Sequence, residues 1–225
     1  MFSSPYDAQL ASIRHYQHYP MLYPWIGEQY QRQAVKILIV GESHYLKDGT
    51  SHHDEQAWYA GISTNAIPGI GWANTRKVVG NGVNERWLAH GQAKVMYRHI
   101  EDVLREAEGE REDQTSPFHR IAYMNYFQRP AEKLGKSITI KPRDRICSAA
   151  VLNAVIGIIE PKLVVFCSVL AWKAAKGDGV FKLPDNPTVR FAVVTHPTTS
   201  WWNRPMAKYN GKRGRDMLLE AVKSA

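Results

Sequence analysis

Cysteine is scarce: the 225 residues contain two, Cys147 and Cys167. One falls in a helical pattern and the other in an apolar strand-like run, so neither a disulfide framework nor a four-cysteine metal or iron–sulfur centre can be built from them. A reducing, cytoplasmic setting is the expectation. Also missing is any run approaching the roughly 18 apolar residues of a membrane span. The opening Met1-Phe2-Ser3-Ser4-Pro5-Tyr6-Asp7 has no charged segment followed by an apolar one, as an export signal would. Acid is in deficit, with 21 Asp and Glu against 29 Lys and Arg, a net charge of +8. That balance favours a polyanionic partner over a neutral metabolite, with DNA the expected partner and no membrane. Internal repeats and low-complexity linkers are absent too, and a chain of this length suits one domain spanning residues 1–225, expected to be a monomer.

What is present is an alternation of strand and helix patterns. Strands are expected at Lys36 to Val40, Ile121 to Tyr126, Leu163 to Cys167 and Arg190 to Thr195. Ile37-Leu38-Ile39-Val40 and Leu163-Val164-Val165-Phe166-Cys167 are continuous apolar runs, the signature of strands covered on both faces. Helical periodicity occupies Asn84 to Glu108, Arg143 to Ile159, Val169 to Lys176 and Gly214 to Ser224, with Pro161 and Gly177 as stops. The expected fold is a three-layer α/β/α sandwich around a mainly parallel four-stranded sheet. Gly49 to Val83, where glycines alternate with Trp58, Tyr59 and Trp72, reads as a long ordered loop insertion of functional rather than disordered character.

Ligands of open parallel sheets bind beyond the carboxyl ends of the strands. Here those ends run into Gly41-Glu42-Ser43-His44-Tyr45, into Asn125-Tyr126-Phe127-Gln128-Arg129-Pro130, into Ser168, and into His196-Pro197-Thr198-Thr199-Ser200-Trp201-Trp202. In order, spacing and strand context this set resembles the uracil-DNA glycosylase superfamily, whose first strand leads into Gly-Gln-Asp-Pro-Tyr or Gly-Glu-Ala-Pro-Gly. Its second strand ends in an asparagine and its last in His-Pro-Ser. The resemblance spans Lys36 to the C-terminus and implies a uracil-DNA glycosylase-like fold and excision of a base from DNA without a cofactor.

Carried across, the resemblance makes Glu42 the carboxylate that orients water and offsets the positive charge developing on the sugar, as glycosyl transfer requires. His196 then stabilises the departing base by hydrogen bonding. Asn125 reads the flipped base, since one amide offers a donor and an acceptor. Tyr45 keeps bulky C5 substituents out, with Ser43 and His44 beside it in the pocket wall and Trp72 or Tyr59 available to stack on the base. Trp201 and Trp202 suit a wedge into the base stack, while Thr198, Ser200, Arg204, Ser168, Lys212 and Arg213 would meet the DNA backbone. Ser43-His44 departs from both family loops, which leaves the base open: uracil, or a bulky modified pyrimidine of bacteriophage DNA, with a role in repair or in antiviral defence.

Two other readings stand beside this one. Ser43 with His196, or Glu42 with His44, would suit an esterase-like hydrolase, and a catalytically silent DNA-binding module would keep the basic surface alone. The cluster His52-His53-Asp54-Glu55 is expected to be a solvated loop rather than a metal site, because adjacent residues are poorly directed at one ion.

Overall fold

The computed structural model describes residues 4–46, 54–62, 67, 69–84, 92–109, 115–177 and 189–225. Within these, helices α1 (Asp7–Leu10) and α2 (Arg14–His18) precede strand β1 (Trp25–Ile26) and strand β2 (Ile37–Gly41). Next come α3 (Glu55–Ala60), α4 (Thr75–Asn84), α5 (Gln92–Glu108), β3 (Ala122–Asn125) and α6 (Pro142–Ile159). Strand β4 (Leu163–Phe166), α7 (Val169–Lys176), β5 (Arg190–Val193) and α8 (Gly214–Lys223) complete the order. The α/β class is as the sequence led us to expect, but the sheet is five-stranded and mixed, in the order β1-β3-β2-β4-β5.

The four expected strands are all present and mutually parallel. The addition is β1, which lies antiparallel to β3 at the sheet edge. Two residues are too few to show a period, and β1 is held by a tertiary contact: the Trp25 indole donates to the Phe118 carbonyl at 2.7 Å.

Side-chain alternation explains the layering. Leu38, Val40, Met124, Val164 and Phe166 point to one face, where they bury with Val151, Leu152, Val155 and Ile156 of α6 and Ala171 and Ala174 of α7. Ile39, Tyr123, Val165 and the following Cys167 point to the other, against Val79 of α4, Ile100, Val103 and Leu104 of α5 and Leu218 of α8. Each such side chain contributes about 1.5–3 kcal/mol by leaving water, so the central strands are fixed from both sides.

The region 49–83 is not one long loop, since α3 and α4 lie within it. Gly80 and Gly82 are poor helix formers, which hid α4. Packing overrides propensity: Gly82 is buried, and a Cβ on Gly80 would sit 3.2 Å from the Trp25 ring. Of the helix expected over Asn84 to Glu108, α5 supplies Gln92–Glu108, while Asn84 itself closes α4.

Strand order fixes where a site can form. The chain passes from β2 to its neighbour β3, then crosses to the opposite side of β2 to lay down β4. The reversal falls between the carboxyl ends of β2 and β4, the place where the crevice of α/β sheets forms and ligands bind.

Candidate active site

Strand β2 ends at Gly41, and the segment after it is braced against the segment after β3. Tyr126 N–H donates to the Gly41 carbonyl at 3.1 Å, Phe127 N–H to that of Glu42 at 2.9 Å and Ala131 N–H to that of His44 at 2.8 Å. Glu42, Ser43 and His44 are consequently buried. The Glu42 carboxylate turns across the crevice, where its Oε2 accepts the Ser168 hydroxyl at 2.7 Å. Ser168 follows β4 and is the N-cap of α7.

His196 follows β5 and is half-buried. Its Nδ1 receives the Thr198 N–H at 3.3 Å and lies 2.9 Å from the Thr198 hydroxyl. A backbone N–H only donates, so Nδ1 is the acceptor and the proton of the neutral ring sits on Nε2. Burial pushes the His196 pKa below 6.5, and the negative charge of Glu42 acts in the opposite direction, so the two groups share one electrostatic field. The loop is held from beneath by His99 of α5, whose Nδ1 donates to the Pro197 carbonyl at 2.7 Å.

Asn125 lies beside Gly41 in the β2–β3 register. Its Oδ1 accepts the Tyr123 hydroxyl at 2.9 Å, and its Nδ2 is 3.2 Å from His44 Nδ1 and 3.4 Å from Nε2. Tyr97 is hydrogen-bonded to Tyr123 through their hydroxyls. Burial drives His44 down to about 3, the nearby His15 adding to the effect, and His15 itself down to about 4. Both rings are therefore neutral at physiological pH. Burial raises the Tyr45 pKa, and the negative charge of Glu42 adds to the effect.

The structure thus gathers Glu42, Ser43, His44, Tyr45, Asn125 and His196 at one end of the sheet, with Ser168 among them. It separates others. Trp202 is a correction: at 2% exposed it stacks on His99 with ring centroids 6.1 Å apart and packs in the core, so it is no wedge. Trp201, in the same helical turn, is 50% exposed, and Trp72 is 59% exposed. Ser168 is also corrected, since it is sealed from solvent and its proton is committed to Glu42.

Thr198, Ser200 and Arg204 are exposed. Lys212 and Arg213 are less free than expected, each paired with an acid, Glu220 at 2.6 Å and Asp216 at 2.7 Å. Tyr59 is committed to Asp144 through its hydroxyl at 3.0 Å rather than being free to stack. His52 and His53 lie outside the described residues, while Asp54 caps α3 and Glu55 accepts the Arg143 N–H. Among the described residues no group of three or more His, Cys, Asp or Glu could hold a metal ion.

Tyr97, His99 and Tyr123 were invisible as site residues in the sequence. Tyr123 carried one signal: as a polar-tipped residue inside an apolar strand, its hydroxyl needs a buried partner. Compared with known proteins, the chain matches no protein-family model and no curated protein. Chemically, the site offers a carboxylate with one oxygen engaged, a neutral imidazole presenting an N–H, and a tyrosine hydroxyl, all at the carboxyl end of the sheet.

Proposed function

We propose that this protein is a DNA glycosylase of the uracil-DNA glycosylase type, which flips a nucleotide from DNA and hydrolyses its N-glycosidic bond to leave an abasic site. The observation that carries the reading is the Glu42 carboxylate, buried at the strand-order reversal with one oxygen held by Ser168, at the same end of the sheet as a His196 whose Nδ1 is taken by the Thr198 N–H. As the bond between C1′ and the base nitrogen lengthens, its electron pair moves onto the base and positive charge spreads over the sugar. Glu42 offsets that charge and orients a water, whose oxygen bonds to C1′ as its proton leaves toward the carboxylate. The His196 Nε2–H donates to the base carbonyl oxygen that gathers negative charge. Tyr45 walls the pocket beside Glu42. The exposed Trp201 and Trp72 supply ring surface for the gap in the stack, and Arg204 meets phosphate. The base is uracil or a modified pyrimidine, phage-type modifications included. Abasic sites would then start repair of host DNA or block copying of invading DNA.

Incubation with uracil-containing, unmodified and phage-modified DNA, followed by alkaline cleavage, tests the reading. Alkali-labile sites are expected on at least one DNA, with Glu42→Gln and His196→Ala each lowering the rate about 100-fold or more while DNA binding persists. Binding with no abasic sites on any of the three would leave a silent DNA-binding module. The serine-esterase reading is disfavoured because the buried Ser43 hydroxyl has no hydrogen-bond partner among the described residues, and so no base there to activate it.

A further inference from the structure

We propose that Ser168 is a positioning residue for the Glu42 carboxylate, its hydroxyl clamped by the N-terminus of α7 so that Oε2 is held and Oε1 is left to orient the attacking water. The proposal rests on the glycosylase reading for the role of the water, and on geometry for the rest.

A serine hydroxyl has one proton and two lone pairs. The Ser168 oxygen accepts the Ala171 N–H at 3.1 Å, the N-cap bond of α7. That bond fixes the side-chain rotamer, and the single proton is directed at Glu42 Oε2, 2.7 Å away. This distance suits an O–H donor meeting a carboxylate. Ser168 is 1% exposed, so no bulk water competes for either partner. Glu42 Oε1 has no hydrogen-bond partner among the described residues.

The contact also lies beside the paired ends of β2 and β4. Cys167 N–H donates to the Val40 carbonyl at 2.8 Å, locking the residues just before Ser168 and Glu42 side by side. The positive end of α7 stands behind the same hydroxyl and favours an anion in front of it. A carboxylate gripped at one oxygen on a rigid scaffold is preorganised, and that removes a reorientation step from the reaction.

A purely structural N-cap predicts something different, and substitutions separate the two roles. Ser168→Thr keeps cap and donor. Ser168→Ala loses both, whereas Ser168→Gly loses the donor yet largely spares the cap. For the full chain, kcat and KM are measured on whichever DNA yields abasic sites, together with melting temperature and the NMR titration of the His196 ring. Ser168→Thr is expected near wild type. Ser168→Gly and Ser168→Ala are expected to share a fall of about 10- to 100-fold in kcat with little change in KM, although only the alanine variant loses appreciable stability. In both, the released carboxylate is no longer held at a fixed place relative to His196, so the pKa of the ring departs from its wild-type value.

A glycine variant with wild-type kcat overturns the proposal, as does a His196 titration unchanged in the glycine and alanine variants. The titration needs no DNA. It therefore tests the clamp even where no DNA is cut, the outcome that sinks the glycosylase reading instead.

Discussion

Gly41→Ala is the sharpest test of how the site is packed. Gly41 does not have a positive φ, so what it supplies is space rather than conformational freedom. A Cβ built there would stand 2.2 Å from the Tyr123 hydroxyl and 2.4 Å from Asn125 Oδ1, more than an ångström inside van der Waals contact. Neither atom can simply retreat, because the two are hydrogen-bonded to each other and Tyr123 is fully buried. Overpacking of this kind costs about 1–3 kcal/mol, and disruption of the Tyr123–Asn125 bond adds about 1 kcal/mol. The expected total is about 2–4 kcal/mol, a fall of about 5–15 °C in melting temperature for a chain of this size.

Urea unfolding of the wild type, Gly41→Ala, Tyr123→Phe and the double variant identifies the source. Removing the hydroxyl relieves the closer clash, so the double variant should cost at least about 1 kcal/mol less than the two singles added together. Strict additivity, or a Gly41→Ala protein of wild-type stability, would refute the claim that these side chains close over the Gly41 α-carbon.

The remaining expectations concern charge and surface. Arg129 and Asp144 form a fully buried pair, with contacts at 2.9 and 2.8 Å; Arg129→Met strands the carboxylate and should cost about 3–5 kcal/mol in urea unfolding, a loss below 1 kcal/mol counting against the pair. His15 and His44 are depressed from 6.5 to about 4 and about 3, so below pH 6.5 the unfolded chain binds protons that the folded chain refuses. Stability is then full above about pH 6.5 and falls as pH drops toward 4, with a slope of up to about 1.4 kcal/mol per unit for each histidine. A urea midpoint flat between pH 7.5 and 5 would contradict this. Trp201→Ala should weaken DNA binding at constant stability, whereas Trp202→Ala should cost about 3–5 kcal/mol of stability; melting and DNA titration of both variants test the assignment, and the reverse pattern would undo it.

The sequence made the four parallel strands legible because each is a short apolar run that must be covered on both faces, and Glu42, Asn125 and His196 followed from where those runs stop. Features without local periodicity were not legible. The edge strand at Trp25–Ile26 exists through its pairing with Tyr123 and Ala122, and α4 exists because Gly80 admits the Trp25 ring. Trp201 and Trp202 are equivalent in composition, yet in a tight 3₁₀ turn adjacent side chains diverge. One meets water while the other meets His99. The polar contacts were hidden for another reason: Ser168 and Glu42 are 126 residues apart, and Asn125 and His44 are 81 apart. Only the completed sheet brings them together.

That sheet also decides the protonation state on which the proposed chemistry depends. An imidazolium at His196 would neutralise Glu42, and the carboxylate would then have little charge left to offset a developing sugar cation. Two effects compete at the ring: Glu42 favours the charged form, while burial beneath the loop after β5 disfavours it. Burial is the larger, so the net displacement of the His196 pKa is downward. A neutral ring leaves the field of the buried Glu42 carboxylate uncompensated by His196, and charge–charge interactions at buried sites are stronger than in solvent. His196 keeps one N–H on Nε2 because Thr198 occupies Nδ1. Replacing Thr198 with valine removes one of the two contacts at Nδ1 and spares the backbone N–H. A modest loss of excision rate is therefore expected from Thr198→Val and a far larger one from His196→Ala. Equal losses would mean that the threonine hydroxyl, rather than the backbone, sets the tautomer.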